Sequence, residues 1–333
     1  SNNFLASIYF EKNQLGLSLL DISTGQFLSG QGTWPIIKQW IASYQPSEIL
    51  VPKANLEFYE KELGNNHYFF GLEDWVYNTD YAQEAIFDFF EVKTLKGFGI
   101  NDLDLGIISC GAILKYLNDT QNQGLKHILR PQRLNNKAHI WMDWFTLRNL
   151  ELIHSNNQNG KSLFDVINQT LTPMGNRLLK QWLCFPLVDS KAISERLAIV
   201  SFLSDNDYYL ESLRNHLTSI QDIERILAKI ASEKANPRDL KMLERSLIEA
   251  DEIKEKLQQS ELLKTLGVKL NVNPKIALEL DERLAEEVPV SLQKGMVIKE
   301  GYHPELDEYR GLAQNSKNIL LQLKTWSNNI TEL

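Results

Sequence analysis

The sequence predicts an α/β domain followed by an all-helical domain, and three observations carry that prediction. The first 117 residues alternate between period-two and helical apolar patterns. From residue 163 onward the apolar spacing is helical only, and it is punctuated by capping residues and prolines. Between these stretches the chain turns polar and broken at Asn118, Asp119, Gln121, Asn122, Gln123 and Gly124, then Pro131, which places a boundary near residue 130. At 333 residues the chain exceeds the length at which one core stops growing, so two domains, 1–130 and 131–333, are expected.

In the first domain, residues 4–10, 15–20 and 26–29 read as three strands joined by tight turns at Lys12-Asn13 and Ser23-Thr24-Gly25, with Leu15, Leu17 and Leu19 on one face. Pro35 opens a helix presenting Ile37, Trp40 and Ile41. Residues 48–51 and 68–70 read as further strands on either side of a helical stretch around Phe58, and residues 81–90 and 104–117 read as two helices. A three-strand meander, then a helix and more strands, is the order of a ribonuclease H-like fold. Metal-dependent nucleases of that fold need several converging carboxylates, one of them in the first strand, and residues 4–10 contain none. Asp21 is the best-placed acid, and before Ser23-Thr24-Gly25 it reads as a turn cap. Asp102 and Asp104 read as N-cap and first-turn acids.

In the second domain, Ser162 and Asp165 have capping-box spacing. Thr172 reads as an N-cap with Pro173 at the first helical position, and Met174, Leu178 and Trp182 continue on one face until Pro186 stops the helix. Asp189 or Ser190 caps the next helix, whose expected inner face carries Ile193, Leu197, Val200 and then Leu203. On that phasing Trp182 is trapped between the two helices. Ile220, Ile223, Leu227 and Ile230 form a further stripe, and Asn236 with Pro237 caps a helix carrying Leu240, Leu243, Leu247 and Leu257. Leu306, Tyr309, Ala313, Ser316, Leu320 and Leu323 step by threes and fours, which suits a long lever helix or an ordinary bundle helix.

Thr172, Met174, Gly175, Arg177, Leu178, Leu179, Trp182, Leu183, Pro186, Leu187, Ile193, Arg196 and Leu197 together resemble the start of the helical core of the MutS family of DNA mismatch-recognition ATPases. Asp143, Thr146, Arg148, Asn149, Leu150, Glu151 and Leu152 resemble the entry to that core. Asp222-Ile223-Glu224-Arg225, Pro237-Arg238, and Gly301 with Glu305-Leu306-Asp307-Glu308 and Arg310 resemble its later landmarks. Asn168 departs from the aspartate more often found there. The resemblance implies a ribonuclease H-like connector over residues 1–130 and a core/lever domain over 131–333, truncated before the DNA clamp. Nothing matches the mismatch-reading domain, the clamp or the ATPase, and no G-x-x-x-x-G-K-[ST] phosphate loop occurs, so no cofactor is expected in this chain. With Ser1 in place of an initiator Met, the chain reads as an internal piece whose Ser1 is left over from expression. For the whole protein the resemblance implies ATP and Mg, mismatched duplex DNA, a MutL-type matchmaker, homodimerisation, and a bacterial cytoplasmic, nucleoid-associated location.

The remaining residues argue against other chemistry. The net charge of −8, with 9 basic and 15 acidic groups in residues 1–130, is the wrong sign for gripping phosphate unaided. No apolar run approaches a membrane span. Cys110 and Cys184 sit in apolar helical patterns and read as buried thiols, and Ser109-Cys110-Gly111 reads as packing rather than a nucleophile elbow. The six histidines are scattered without ligand spacing, so no metal or catalytic residues are expected. Thr172, Pro173, Met174, Gly175, Arg177, Trp182, Pro186, Arg148 and Arg196 are the expected structural anchors. The arginines are expected to tie helices together through carboxylates such as Glu151, Glu195 or Glu224. Three functional classes follow: a non-catalytic connector and lever of a mismatch-recognition ATPase, a ribonuclease H-like nuclease, and a scaffold that recruits a repair partner.

Overall fold

The computed structural model describes residues 3–64, 67–120, 124–134, 139–157 and 159–331. Ser1, and Gln121, Asn122, Gln123 and Asn136 of the polar stretch, lie outside the described residues. Strands β1 (Phe4–Glu11), β2 (Gln14–Asp21) and β3 (Gln26–Gly32) form an antiparallel meander. Lys12 and Asn13 both take positive φ, the backbone that lets a two-residue hairpin follow the twist of its strands. After helix α1 (Trp34–Tyr44), β4 (Glu48–Pro52) pairs parallel with β1. Helix α2 (Leu56–Leu63) then leads to β5 (Tyr68–Leu72), parallel with β4. The short strand β6 (Gln132–Arg133) adds to the far edge, giving the order β5-β4-β1-β2-β3-β6. A meander extended by parallel strands beside β1 is the ribonuclease H-like arrangement.

Both faces of this sheet are covered. Phe4, Ala6, Ile8, Leu15, Leu17 and Leu19 pack under α1 and α2. Leu5, Leu20 and Leu50 meet α3 (Thr79–Phe90) and α4 (Asp104–Thr120) on the opposite side. The central strand β2 can be buried twice because its α4 side is built from small residues: a Cβ at Gly16 would lie 1.9 Å from the Leu105 carbonyl oxygen. Beneath α4, the Ser18 hydroxyl lies 3.1 Å from the Gly106 carbonyl, 3.2 Å from the Ser29 hydroxyl and 3.1 Å from the Cys110 thiol. These buried polar atoms satisfy one another, and burial pushes the Cys110 thiol up to about 11. Asp21 accepts hydrogen bonds from the backbone N–H and the hydroxyl of Ser23, so it holds the turn before β3.

The remainder is helical: α5 (Trp144–Asn149), α6 (Leu163–Ile167), α7 (Pro173–Cys184), α8 (Ser190–Ser204), α9 (Asp207–Ser219), α10 (Ile223–Ala231), α11 (Pro237–Gln258), α12 (Lys264–Lys269), α13 (Pro274–Arg283) and α14 (Pro304–Thr331). Side-chain caps start many of them. Asp143 caps α5, Ser162 and Asp165 form the capping box of α6, Thr172 caps α7, Asp189 caps α8, and Asn236 with Asp239 forms a second box at α11. The bundle core gathers Leu213, Ile220, Ala250, Ile253, Leu257 and Leu263 from α9, α11 and their connections. The heptad-spaced segment is the 28-residue helix α14, with Tyr309, Leu320 and Leu323 exposed.

Two stripes are phased differently from the sequence expectation. Leu227 is exposed, and Ile226 and Ala228 take the buried positions on α10. On α8, Ile193, Leu197 and Val200 face outward, while the partly covered side runs through Ala192, Arg196, Ile199 and Leu203. The shift of one residue brings Arg196, not Leu197, over Trp182, and its guanidinium lies 3.6 Å from the indole centroid. Trp182 is therefore 42% exposed rather than trapped. An exposed cation–π pair contributes about 0.5–1 kcal/mol. Trp182→Ala is thus expected to cost about 2 kcal/mol, short of the 3–5 kcal/mol of a fully buried tryptophan, because the ring loses its pair with Arg196 and only part of its cover. A loss of several kcal/mol in urea unfolding would show the indole to be a core residue after all.

Candidate functional site

The junction between the sheet domain and the bundle is built around α7. Its start is fixed locally: the Thr172 hydroxyl accepts from the Gly175 backbone N–H at 3.0 Å, and Pro173 supplies helical φ where no N–H is needed. Gly175 suits this cap because a Cβ there would sit 2.9 Å from the same hydroxyl. The preceding turn is held by α6, where Ser162 and Asp165 exchange hydrogen bonds and the Ser162 hydroxyl and N–H hold the Asp165 carboxyl below the usual carboxylate range.

One turn into α7, Arg177 reaches across to α10. Its Nη1 and Nη2 donate to the two oxygens of Asp222, each at 2.8 Å, and Nη2 also donates to Glu224 at 2.5 Å. Asp222 is at the same time the N-cap of α10, accepting from the Arg225 backbone N–H. Burial pushes the Asp222 carboxyl up, but the hydrogen bonds and charge of Arg177, with Arg225 beside it, outweigh burial and hold it below its ordinary value. Asp239 behaves alike: burial raises it, and Lys229 at 2.7 Å with the Asn236 N–H brings it down. Both carboxyls thus have folded values below their unfolded ones near about 4, so their stabilisation is present above that pH and is lost as pH falls through the folded values. The urea midpoint is expected to be flat from about pH 7 to 5 and to drop below about 4. Asp222→Asn should start lower and fall less steeply, and parallel curves would count against the pairing.

The other end of α7 meets the sheet domain. Lys180 Nζ donates to Gln45 Oε1 at 3.2 Å, directly after α1, and the Phe185 ring lies 5.5 Å from Tyr44. Cys184 is buried against Ser43, and burial pushes its thiol up to about 11. The Pro186 carbonyl accepts from the Ile140 N–H at 2.7 Å, so the residue that ends α7 also anchors the segment entering the bundle. On the opposite side a cleft of about 280 Å³ lies between Thr24, Gln26 and Leu129 of the sheet domain and Met174, Arg177 and Gln181 of α7. One helix thus touches α1 at its C-terminal end and α10 near its start.

The junction gathers Thr172, Pro173, Met174, Gly175, Arg177 and Pro186. It leaves Trp182 on the outer side with Arg196. Arg148 lies on α5, where its Nε donates to Asn156 Oδ1 at 3.2 Å and its guanidinium rests 5.8 Å from the Trp144 centroid. Neither Arg148 nor Arg196 takes the carboxylate partner expected for it; Glu151 accepts from the Asn156 backbone N–H. Sequence reading missed Lys180, Gln45 and Asp222 as junction residues. Asp222 stood out only as part of the Asp222-Ile223-Glu224-Arg225 landmark, and nothing in the local pattern paired it with Arg177 or Lys180 with Gln45. Among the described residues no group of three or more His, Cys, Asp or Glu is placed to hold a metal ion, and no helix is long and apolar enough to cross a membrane.

Two family descriptions match the chain: MutS domain II over residues 3–129 and MutS domain III over residues 145–333. Curated relatives agree. The chain is 43% identical over 322 residues to a protein named DNA mismatch repair protein MutS from Flavobacterium psychrophilum, covering 96% of this chain and 37% of the relative. It is 40% identical over 338 residues to the protein of that name from Christiangramia forsetii, covering 100% and 39%. The Bacteroides fragilis counterpart is 37% identical over 332 residues, covering 99% and 38%. The chain spans less than two-fifths of the length of these relatives.

Proposed function

We propose that this chain, which belongs to the MutS family, is the connector and core/lever portion through which mismatch binding is coupled to ATP turnover in the whole protein. Its two matched domains are not the ATPase, and the chain itself carries structure rather than catalysis. The observation that carries the coupling role is α7, a single capped helix pinned to α1 through Lys180 and to α10 through Arg177. A rigid helix tied to the bundle by Arg177 and, one turn on, to the sheet domain by Lys180 moves one domain when the other moves, which is what mechanical coupling needs. The functional boundary is proposed near residue 130, with 1–130 as connector and 131–333 as lever; β6 (Gln132–Arg133) carries the chain across that boundary along the edge of the connector's sheet.

In this reading the whole protein uses ATP with Mg, binds mismatched duplex DNA as a homodimer, meets a MutL-type matchmaker, and works in the bacterial cytoplasm at the nucleoid. The test is Arg177→Ala in a full-length MutS protein carrying this segment. Mismatch-stimulated ATP turnover is expected to fall towards the basal rate while basal turnover persists. Unchanged stimulation would end the coupling proposal.

The chain alone is expected to release no phosphate from ATP. It should also bind duplex DNA more weakly than the roughly 10⁻⁴ to 10⁻⁶ M of ordinary non-specific binding at physiological salt, because its net charge is −8. Sub-micromolar binding in an anisotropy titration at that salt would contradict this. The nuclease alternative loses support because Asp21 Oδ1 is engaged by Ser23 in the turn and no group of three or more His, Cys, Asp or Glu among the described residues is placed to hold a metal ion. The scaffold alternative gains support from an exposed aromatic edge of the sheet domain.

A further inference from the structure

We infer that the free edge of β5 docks an extended, basic segment of a partner protein, which adds a strand to the sheet. The inference specifies a recruiting face for the scaffold reading above.

The six-stranded sheet has two ends, and they are built differently. At one end β6 is two residues long and carries Arg133, the kind of short, charged edge that resists further pairing. At the other, β5 runs for five residues, Tyr-Phe-Phe-Gly-Leu, with no charge and no proline, and within the sheet it pairs only with β4. Such an edge presents unpaired N–H and C=O groups to any extended chain.

The side chains beside that edge are the types that anchor interfaces. Tyr68 is 65% exposed and Trp75 57% exposed. Phe70 leans on Tyr116 at 5.2 Å, and Trp75 stands edge-on to Tyr81 at 5.0 Å. Aromatic rings held in place by neighbouring rings offer large contact area at little entropic cost.

Charge selects the partner. The two lysines nearby are already neutralised, Lys53 by Glu73 at 2.9 Å and Lys115 by Asp119 at 2.6 Å. Glu48, which accepts from the Tyr116 hydroxyl at 3.0 Å, makes no salt bridge among the described residues, and neither do Glu84 near Tyr81 and Asp74, which accepts from the Ala54 N–H with Lys53 in its neighbourhood. The excess is negative, so it repels a phosphate backbone and favours lysine or arginine. The stems of those side chains would lie on Tyr68 and Phe70, since Lys115 already lies 5.7 Å over the Trp75 ring, while their charged ends reach the unneutralised carboxylates.

The test titrates the chain with a fluorescent peptide of alternating lysine and valine, followed by anisotropy and by hydrogen exchange of residues 68–72. Saturable binding is expected, with slowed exchange at residues 68–72 and none at 132–133. A glutamate–valine counterpart should bind at least about tenfold more weakly. Tyr68→Ala should weaken the lysine peptide about tenfold with an unchanged melting temperature, as should Glu84→Lys, which leaves the aromatic edge intact. No saturable binding, equal binding of the acidic peptide, or binding without protection at residues 68–72 each overturns the inference. If the chain captures a MutL-type matchmaker while residues 68–72 stay unprotected, this inference falls and the scaffold reading stands.

Discussion

Gly16→Ala is expected to destabilise the sheet domain by about 3 kcal/mol or more, the upper range for forcing atoms into a packed core. The added methyl would lie 1.9 Å from the Leu105 carbonyl oxygen, 2.1 Å from its carbon and 2.6 Å from the Gly106 nitrogen, all backbone atoms of α4. A side chain could rotate away from such a contact, whereas a helix backbone can only lift. Lifting α4 would uncover Leu5, Leu20 and Leu50 and break the Ser18 contacts to Gly106 and Cys110. Gly97→Ala is the matched control, since a Cβ there meets nothing within 4 Å. Urea unfolding of the two variants should separate them clearly. Equal midpoints would mean that α4 does not sit on β2 as described.

Arg177→Ala is expected to cost about 3 kcal/mol, the lower end of the range for breaking a buried pair, because Asp222 and Glu224 keep some access to solvent. The loss is not one hydrogen bond but the stranding of a carboxylate that also caps α10. Arg177→Lys should recover only part of it, since an ammonium cannot span both oxygens of Asp222 as the guanidinium fork does. Chemical denaturation at pH 7 measures both. At about pH 3, where the unfolded carboxyls are protonated, the gap between parent and variant should narrow. A gap that stays constant across this range would show that Arg177 contributes through packing of its stem rather than through the pair.

The capping residues were legible before any coordinates. Ser162 with Asp165, Thr172 before Pro173, Asp189, and Asn236 before Pro237 all satisfy their first-turn N–H groups within three residues, so sequence spacing alone places them. The hairpin at Lys12-Asn13 and the meander were legible for the same reason. Helix phase was less so. Each residue turns a helix by about 100°, so α8 could present either Leu197 or Arg196 to Trp182 with little change in pattern. Both carry enough apolar stem to cover the ring, and the packing partner made the choice.

The sequence by itself determined the α/β-then-helical order, the family, the helix starts, and the turn-capping role of Asp21. Those features rest on contacts between near neighbours in the chain, or on patterns repeated along it. Only the tertiary structure decided that Arg177 meets Asp222, that Lys180 meets Gln45 across 135 positions, that Gly16 lies under Leu105, and that β5 is an edge strand of the sheet. Each of these depends on where separate elements come to lie, and an arginine or a glycine read in its own segment carries no record of the surface that will be packed against it.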